Sequence, residues 1–447
     1  MSYDASIIGL GKLGASMLAG MASRGLKVIG VDISSASVEA VNAGCAPVQE
    51  TNLDSMIKKY KDNIKATLSF EEAVSCTNIS FVIVPTPSDS RGAFLIKYVV
   101  DAFTEIGKVL KNKDFYHTVV LTSTVLPGVC RHGLLPVLEK ESGKKCGKDF
   151  GLCYNPEFIA LGSVIKDFLN PDFYLLGQFD ERSGDALAQI HNKVSANKAP
   201  IKRMSLENAE IAKIAINSFV TLKISYANIL AEICERVPTA DVDVVSDAIG
   251  QDSRIGRKYL TGGLGFGGPC FPRDNIALNF LGRQIGVDTS LLKANDAYNR
   301  NHGKRILDRF KNMLPKSGKI CVLGLSYKPY SHVIEESASI ILAESLLNAG
   351  YSVYAYDPLV DTLEGINCII SKDIKNCLND SVAVFVANAD PQFIALSEKD
   401  FPRDAVVVDF WRCLNSDVQN SKNIKYVPAG RCSNSNIFDV ILGDLWK

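Results

Sequence analysis

The tightest constraint on this chain lies between Ala5 and Asp32. An apolar strand, Ala5 to Gly9, runs straight into Gly9-Leu-Gly11-Lys-Leu-Gly14. A helical pattern follows from Ala15 to about Arg24, then a second strand, Lys27 to Val31, which stops at Asp32. Strand, glycine turn, helix, strand and closing acid at this spacing form a dinucleotide-binding βαβ unit. The glycines let backbone approach a pyrophosphate, which rests on the helix N-terminus. An acid at Asp32 accepts hydrogen bonds from the adenosine ribose and repels a 2′-phosphate, so the expected cofactor is NAD rather than NADP. Gly9, Gly11, Lys12, Leu13, Gly14 and Asp32 are the first cofactor candidates.

Two further buried-type strands are expected over Ser80 to Val84 and Thr118 to Leu121. They end in Pro85-Thr86-Pro87 and in Thr122-Ser123-Thr124-Val125-Leu126-Pro127-Gly128. In a doubly wound sheet such loops lie at the carboxyl ends of strands, where ligands bind. Next comes Tyr154-Asn155-Pro156-Glu157-Phe158. Glu157 stands between a proline and apolar residues, a setting that raises a carboxyl pKa and suits proton transfer.

Glu207 to Val237 contains neither Gly nor Pro. As one helix it spans about 45 Å at 1.5 Å per residue, long enough to connect two domains and to carry a subunit interface. Lys213 and Asn217 lie four apart and share one face of it. Beyond it, Gly262, Gly263, Gly265, Gly267 and Gly268 fall within one short stretch that ends in Cys270, Arg273 and Asp274. Glycine at that density suits no regular element, so the stretch is read as a loop of bare amides wrapped around a ligand. A thiol presented by such a loop beside charged groups has the parts of a nucleophile.

From Asp274 to about His302 the pattern is helical, and the polar stretch Lys311 to Lys319 marks a boundary. Lys319 to Gly324 then opens a second strand–turn–helix pattern, with strands at Tyr351 to Tyr356, Val382 to Val386 and Ala405 to Val408. This half lacks GxGxxG and is expected to hold something other than a dinucleotide. The fold class is α/β: two Rossmann-like doubly wound domains joined by a long central helix. The boundaries are 1–200 for cofactor binding, 201–310 for the helical, dimerising segment with the cysteine loop, and 311–447 for the second Rossmann-like domain.

The 447 residues exceed one ordinary core. Forty-nine basic residues balance forty-nine acidic ones, which argues against a nucleic-acid or anionic-membrane partner. No uncharged apolar run reaches membrane-spanning length and no signal peptide is read at the N-terminus. Twelve cysteines, without Cys-x-x-Cys pairs or clustered histidines, suggest reduced cytoplasmic thiols and no metal site.

Taken together, these motifs resemble the UDP-glucose/GDP-mannose dehydrogenase family, in order and over almost the whole chain. The resemblance rests on the Gly9–Gly14 turn, Pro85-Thr86-Pro87, Ser123-Thr124-Val125, Asn155-Pro156-Glu157-Phe158, Lys213 with Asn217, Gly265 to Asp274, and Gly324-Leu-Ser-Tyr-Lys328-Pro329. It implies oxidation of C6 of a nucleotide hexose to a carboxylate with two NAD. It also implies roles. Cys270 forms a thiohemiacetal and then a thioester; Lys213 and Asn217 stabilise the oxyanion; Asp274 orients a water or Lys213. Glu157 serves hydrolysis, with Thr124 holding water. Pro85, Thr86, Ser123, Thr124 and Arg273 join the cofactor set. Phe158, Ile159, Leu161, Lys213, Asn217, Arg254, Gly265, Phe266, Gly267, Gly268, Lys328 and Arg412 form the substrate set, with Arg254 reaching across a homodimer built on the central helix. Pro269 stands where the family's hexosamine branch has histidine, which favours the glucose type.

Four positions depart from the family pattern. Leu161 replaces a second glutamate, Arg273 replaces a lysine, and Ile229, after Asn228, replaces a glutamate. Glu335 stands where the family has an arginine that meets the cofactor. These changes bear on substrate identity and cofactor affinity, not on the catalytic set.

Overall fold

The structure, a computed structural model, describes residues 2–432 together with Gly443 and Leu445. The chain divides into two compact units, Met1–Ile216 and Asn217–Lys447.

The first unit is built on one eight-stranded sheet. Its strands are β1 (Ala5–Ile8), β2 (Val28–Val31), β3 (Ile64–Thr67), β4 (Ile79–Val82), β5 (His117–Leu121), β6 (Phe150–Tyr154), β7 (Tyr174–Gln178) and β8 (Ile201–Ser205). They lie in the order β3-β2-β1-β4-β5-β6-β7-β8. Every neighbouring pair is parallel except β6 with β7. Strands β1, β2, β4, β5 and β6 are buried along their whole length, as expected for parallel strands with helices on both faces. Alternate side chains enter two separate cores. Ile7, Val28, Phe81 and Val120 join the helix Lys12–Ser23 on one face. Ile8, Ile29, Val82 and Val119 join Phe103 and Ile106 of the helix Lys97–Lys111 on the other. Each fully buried side chain of this size contributes about 1.5–3 kcal/mol relative to exposure.

Among the described residues the second unit repeats the plan with six strands: β9 (Lys319–Leu323), β10 (Ser352–Tyr356), β11 (Ile369–Ile370), β12 (Ser381–Val386), β13 (Val406–Asp409) and β14 (Lys425–Pro428). Their order, β11-β10-β9-β12-β13-β14, matches that of the first six strands of the other sheet, and all pairs are parallel. Alternation again divides the core: Ile320, Val322 and Phe385 face one side, Cys321, Leu323 and Val384 the other. Both sheets use one device at the switch point. The glycine after the central strand turns left-handed, Gly9 at φ +102° and Gly324 at φ +96°. The next amide is then taken by the acid ending the neighbouring strand: Leu10 N–H by Asp32 at 2.7 Å, and Leu325 N–H by Asp357 at 2.8 Å. The second domain thus keeps the Rossmann switch point without the GxGxxG turn.

Helix limits differ from the sequence expectation for local reasons. The long helix is Leu206–Cys234, not Glu207 to Val237. Pro238 has no N–H to donate, and its ring would clash with the Cys234 carbonyl if the helix continued, so the helix ends before it. By length and composition, at mean hydropathy 1.3, it meets the requirement for a membrane span, which an unbroken uncharged run had not suggested. Half of that apolar stretch is buried inside the protein, as in a core helix. The helix expected from Asp274 to His302 is two helices, Phe271–Gln284 and Ser290–Arg300, with a third at His302–Phe310. The first stops because Gly286 is left-handed at φ +74° and Val287 N–H returns to the carbonyl of Gly282. This is a Schellman cap, which closes the orphan carbonyls of the helix end.

Candidate active site

The site residues of the first unit gather at the carboxyl ends of β1, β2, β4, β5 and β6. A Cβ at Gly9 would stand 2.1 Å from the Ile83 carbonyl oxygen, and one at Gly14 would stand 1.9 Å from that of Gly9. The turn therefore requires glycine at both ends to pack against the sheet. Among the described residues nothing lies within 4 Å of a Cβ at Gly11, and no side chain caps the helix Lys12–Ser23 that follows. Its first-turn amides suit a pyrophosphate. Lys12 and Leu13 begin that helix and are partly exposed. Asp32 also accepts the Ser34 N–H at 2.9 Å, which holds its carboxylate at the end of β2. These residues fit NAD.

The two loops read separately in sequence are tied together. Ser123 Oγ donates to the Val84 carbonyl at 2.7 Å and accepts the Val84 N–H at 2.9 Å. Thr86 Oγ1 donates to the Thr124 carbonyl at 2.8 Å. Pro85 is exposed beside this seam.

Glu157 follows β6 in a buried segment. Burial pushes its carboxyl up to about 8, although Lys213 pulls it down. Its Oε1 has no hydrogen-bond partner among the described residues. Lys213 Nζ donates to the Glu157 carbonyl at 2.8 Å and lies 4.5 Å from the centre of the Phe158 ring. Asn155 anchors the segment, with Nδ2 on the Leu175 carbonyl at 3.1 Å and Oδ1 2.8 Å from His191 Nε2. Burial pushes His191 down to about 3, so it is neutral and donates through Nε2. Ile159 and Leu161 continue the segment, partly exposed.

Sequence reasoning missed Glu210. It is wholly buried and accepts the amides of Gly128 at 2.6 Å and Cys130 at 2.8 Å, one on each oxygen. Burial raises its pKa against those two hydrogen bonds. It pins the loop carrying Ser123 and Thr124 to the helix carrying Lys213. The available signal was a carboxylate in an apolar stretch, one turn before that lysine.

In the second unit Asn217 Nδ2 donates to Asp274 Oδ2 at 2.6 Å, with both side chains buried. Arg273 Nε lies 3.7 Å from the other Asp274 oxygen. Cys270 is exposed and caps the helix Phe271–Gln284, and its carbonyl accepts the Asp274 N–H at 2.8 Å. The glycine loop before it is held from several sides. Asn228 accepts the Gly263 N–H at 2.8 Å and donates to the Leu264 carbonyl at 3.2 Å. Gly268 donates to the Glu335 carbonyl at 2.9 Å and is left-handed at φ +82°. Gly265, Phe266 and Gly267 lie between these holds, with Phe266 buried.

Arg412, expected in the substrate set, has its guanidinium engaged within the protein. Nε and Nη2 grip Asp243 at 2.8 and 2.9 Å. Nη1 donates to the Phe410 and Ala429 carbonyls, each at 2.8 Å, and Nη2 also reaches those of Thr261 and Gly262 at 2.9 and 3.1 Å. Arg412 thus supports the start of the glycine loop. Burial opposes ionisation of Asp243, but Arg412 and Arg431 outweigh it and hold that carboxyl below the usual range. Lys328 is partly buried, 5.7 Å from the Tyr327 ring. Arg254 is exposed and paired with Asp252, Nε to Oδ1 at 3.0 Å. Glu335 presents its side chain to solvent.

Residues 3–195 match the family model "UDP-glucose/GDP-mannose dehydrogenase family, NAD binding domain", residues 207–301 its central domain, and residues 321–416 its UDP binding domain. The chain is 36% identical over 414 residues to a UDP-glucose 6-dehydrogenase of Haloferax volcanii, covering 91% of this chain and 96% of that protein. It is 33% identical over 422 residues to a GDP-mannose 6-dehydrogenase of Pseudomonas syringae pv. tomato, covering 90% and 95%. A solved UDP-glucose dehydrogenase from Pyrobaculum islandicum superposes with a TM-score of 0.85 at 31% identity, over 97% of this chain and 98% of that one. The cofactor is NAD, and the activity is that of an NAD-dependent nucleotide-sugar 6-dehydrogenase. With all three of its domains in order and a switch-point turn that fits the cofactor, the chain belongs to the UDP-glucose/GDP-mannose dehydrogenase family.

Proposed function

We propose that this chain oxidises UDP-glucose at C6 to UDP-glucuronate, with two NAD and one water per sugar, through a thioester on Cys270. The observation that carries this reading is the exposed Cys270 thiol at the N-terminus of the helix Phe271–Gln284, one turn before the buried Asp274–Asn217 pair. First-turn amides of a helix favour negative charge, so the position suits attack by sulfur. NAD, when bound, supplies the hydride acceptor for both oxidations. Cys270 gives up its proton and forms a C–S bond with the C6 aldehyde, which places an oxyanion on the former carbonyl oxygen. Lys213 and Asn217 donate to that oxyanion. Oxidation of this adduct leaves a thioester and keeps a reactive aldehyde from escaping. Glu157, as carboxylate, takes a proton from the hydrolytic water held by Thr124, Asp274 orients that water or Lys213, and Cys270 departs as the leaving group.

The UDP binding domain and the UDP-glucose relatives support UDP-glucose as the sugar, and Pro269 disfavours a hexosamine. GDP-mannose is the second reading, because a GDP-mannose relative is nearly as similar. NADH absorbance with a panel of nucleotide sugars tests both. Two NADH per UDP-glucose are expected. Cys270→Ser should keep substrate and NAD binding but stop after the first oxidation, since a hydroxyl is a far weaker nucleophile. Normal turnover to the acid by Cys270→Ser refutes the thioester route.

The long helix exposes Phe219, Tyr226, Ile229 and Ile233, with Phe219 at 61% and Ile233 at 51%. An apolar stripe of this kind supports a homodimer through that helix, with Arg254 serving the partner's substrate. Tyr226→Glu should give a monomer by sedimentation. Balanced charge and free thiols support a cytoplasmic location.

A further inference from the structure

The segment from Thr261 to Gly268, five of whose eight residues are glycine, has little conformational preference of its own. Each of its glycines opens backbone space, and ordering a backbone costs on the order of 1–2 kcal/mol per residue. Its shape is therefore imposed from outside. Asn299, near the end of the helix Ser290–Arg300, is buried at 8% exposure. Its Oδ1 accepts the Phe266 N–H at 2.9 Å, and its Nδ2 donates to the Phe266 carbonyl at 2.8 Å. One carboxamide thus satisfies both backbone groups of one loop residue, as a paired strand would.

Gly265 is fitted to that contact. A Cβ there would meet Asn299 Oδ1 at 2.4 Å, although its φ lies outside the left-handed region. The bare Cα is thus demanded by Asn299, not by the backbone. Downstream, Gly267 lies against the Glu336 carbonyl, 2.3 Å from where its Cβ would be, and Gly268 donates to the Glu335 carbonyl at 2.9 Å. Only Pro269 then separates this docked backbone from Cys270.

We propose that Asn299 is a positioning residue for Cys270. It acts through Phe266, fixing the register in which Gly267 and Gly268 dock and hence where the thiol is presented. The proposal rests on the thioester reading given above. Only a carboxamide offers both an acceptor and a donor in this plane at this size. Aspartate keeps the acceptor and loses the donor until it is protonated, and alanine loses both.

The test uses the full chain with Asn299→Ala, Asn299→Asp, Gly265→Ala and the Asn299→Ala/Gly265→Ala pair. Three quantities are measured: the alkylation rate of Cys270 by iodoacetamide, kcat with the separate KM values, and the melting temperature. Misplacing a reacting group by about 1 Å costs up to roughly a hundredfold, so Asn299→Ala should lower kcat by about tenfold or more. Its KM for NAD should stay within about twofold of wild type, a split that general destabilisation does not produce. The Cys270 alkylation rate should change several-fold. Asn299→Asp should move back towards wild type as pH falls and its protonated oxygen can donate to Phe266; Asn299→Ala should not. Gly265→Ala should impair the wild-type background and add little to Asn299→Ala, where the clashing oxygen is gone.

Alkylation and kcat unchanged in Asn299→Ala overturn the proposal, as does a kcat loss matched by an equal rise in KM for NAD. If Asn299→Ala does not fold, Asn299→Asp and Gly265→Ala are read by the same criteria. If wild type yields no NADH with any nucleotide sugar, the thioester reading fails by itself. The alkylation rates then decide on Asn299 alone, and an unchanged rate overturns it.

Discussion

Asn217 and Asp274, 57 residues apart, share a 2.6 Å hydrogen bond between buried side chains. A carboxylate can be taken out of water only with partners, and this amide is one of them. Asn217→Ala removes that donor, so a loss of about 1–3 kcal/mol is expected in denaturant unfolding. Because the same amide is assigned to the oxyanion, kcat should fall as well. Asn217→Asp should be worse at neutral pH, with two carboxyl groups in contact, and should regain stability on acidification.

Glu157 sets a pH dependence. Burial pushes its carboxyl from 4.5 to about 8, against the pull of Lys213. A general base must be ionised, so thioester hydrolysis should accelerate as pH rises through about 8. Glu157→Gln should flatten that limb and let a Cys270-linked intermediate accumulate, visible by intact-protein mass spectrometry. Stability runs the other way. Between 4.5 and about 8 the folded state holds a proton that the unfolded state releases, so this group lowers stability as pH rises across that window. Unfolding curves of wild type and Glu157→Gln at pH 5, 7 and 9 check the sign; a steeper decline in the variant contradicts it.

Asp32 is fixed by the amides of Leu10 and Ser34 at 2.7 and 2.9 Å. Its replacement should therefore affect both the turn and the ribose. Asp32→Ala should raise KM for NAD by roughly tenfold, about 1.4 kcal/mol, and raise that for NADP much less. Equal use of NADP by wild type means that Asp32 does not read the ribose.

Glu335 reverses the charge expected at its family position. Its carbonyl, not its side chain, accepts the Gly268 amide, so substitution leaves the loop contact intact. Two unit charges at 4 Å interact by about 1 kcal/mol in water, or roughly fivefold in affinity. Glu335→Arg should lower KM for NAD by about that factor and leave that for the sugar unchanged. An unchanged KM for NAD places Glu335 away from the cofactor.

The parts legible in sequence were local. Gly9, Gly14 and Asp32 are read from spacing because strand, turn and helix have fixed rises, and buried parallel strands appear as short apolar runs. The second domain was legible for the same reason, although its turn lacks the glycine fingerprint. Cys270 stood out by the glycines before it, and Glu157 by its apolar neighbours. The single helix expected from Asp274 to His302 breaks at Gly286, where a left-handed cap rests on one residue.

What only the tertiary structure decided are pairings between distant segments. Glu210 meets Gly128 across 82 positions, and Arg412 reaches Thr261 across 151. Arg412 carries the same formal charge whether it binds a ligand or the protein, so its role cannot be read from residue type. It is decided by which acceptors the fold brings within hydrogen-bond reach, here the Asp243 carboxylate and the carbonyls of Phe410, Ala429, Thr261 and Gly262. Periodicity and turn chemistry are properties of neighbouring residues and survive in a one-dimensional string. Satisfaction of buried polar groups depends on packing, and exists only once the chain has folded.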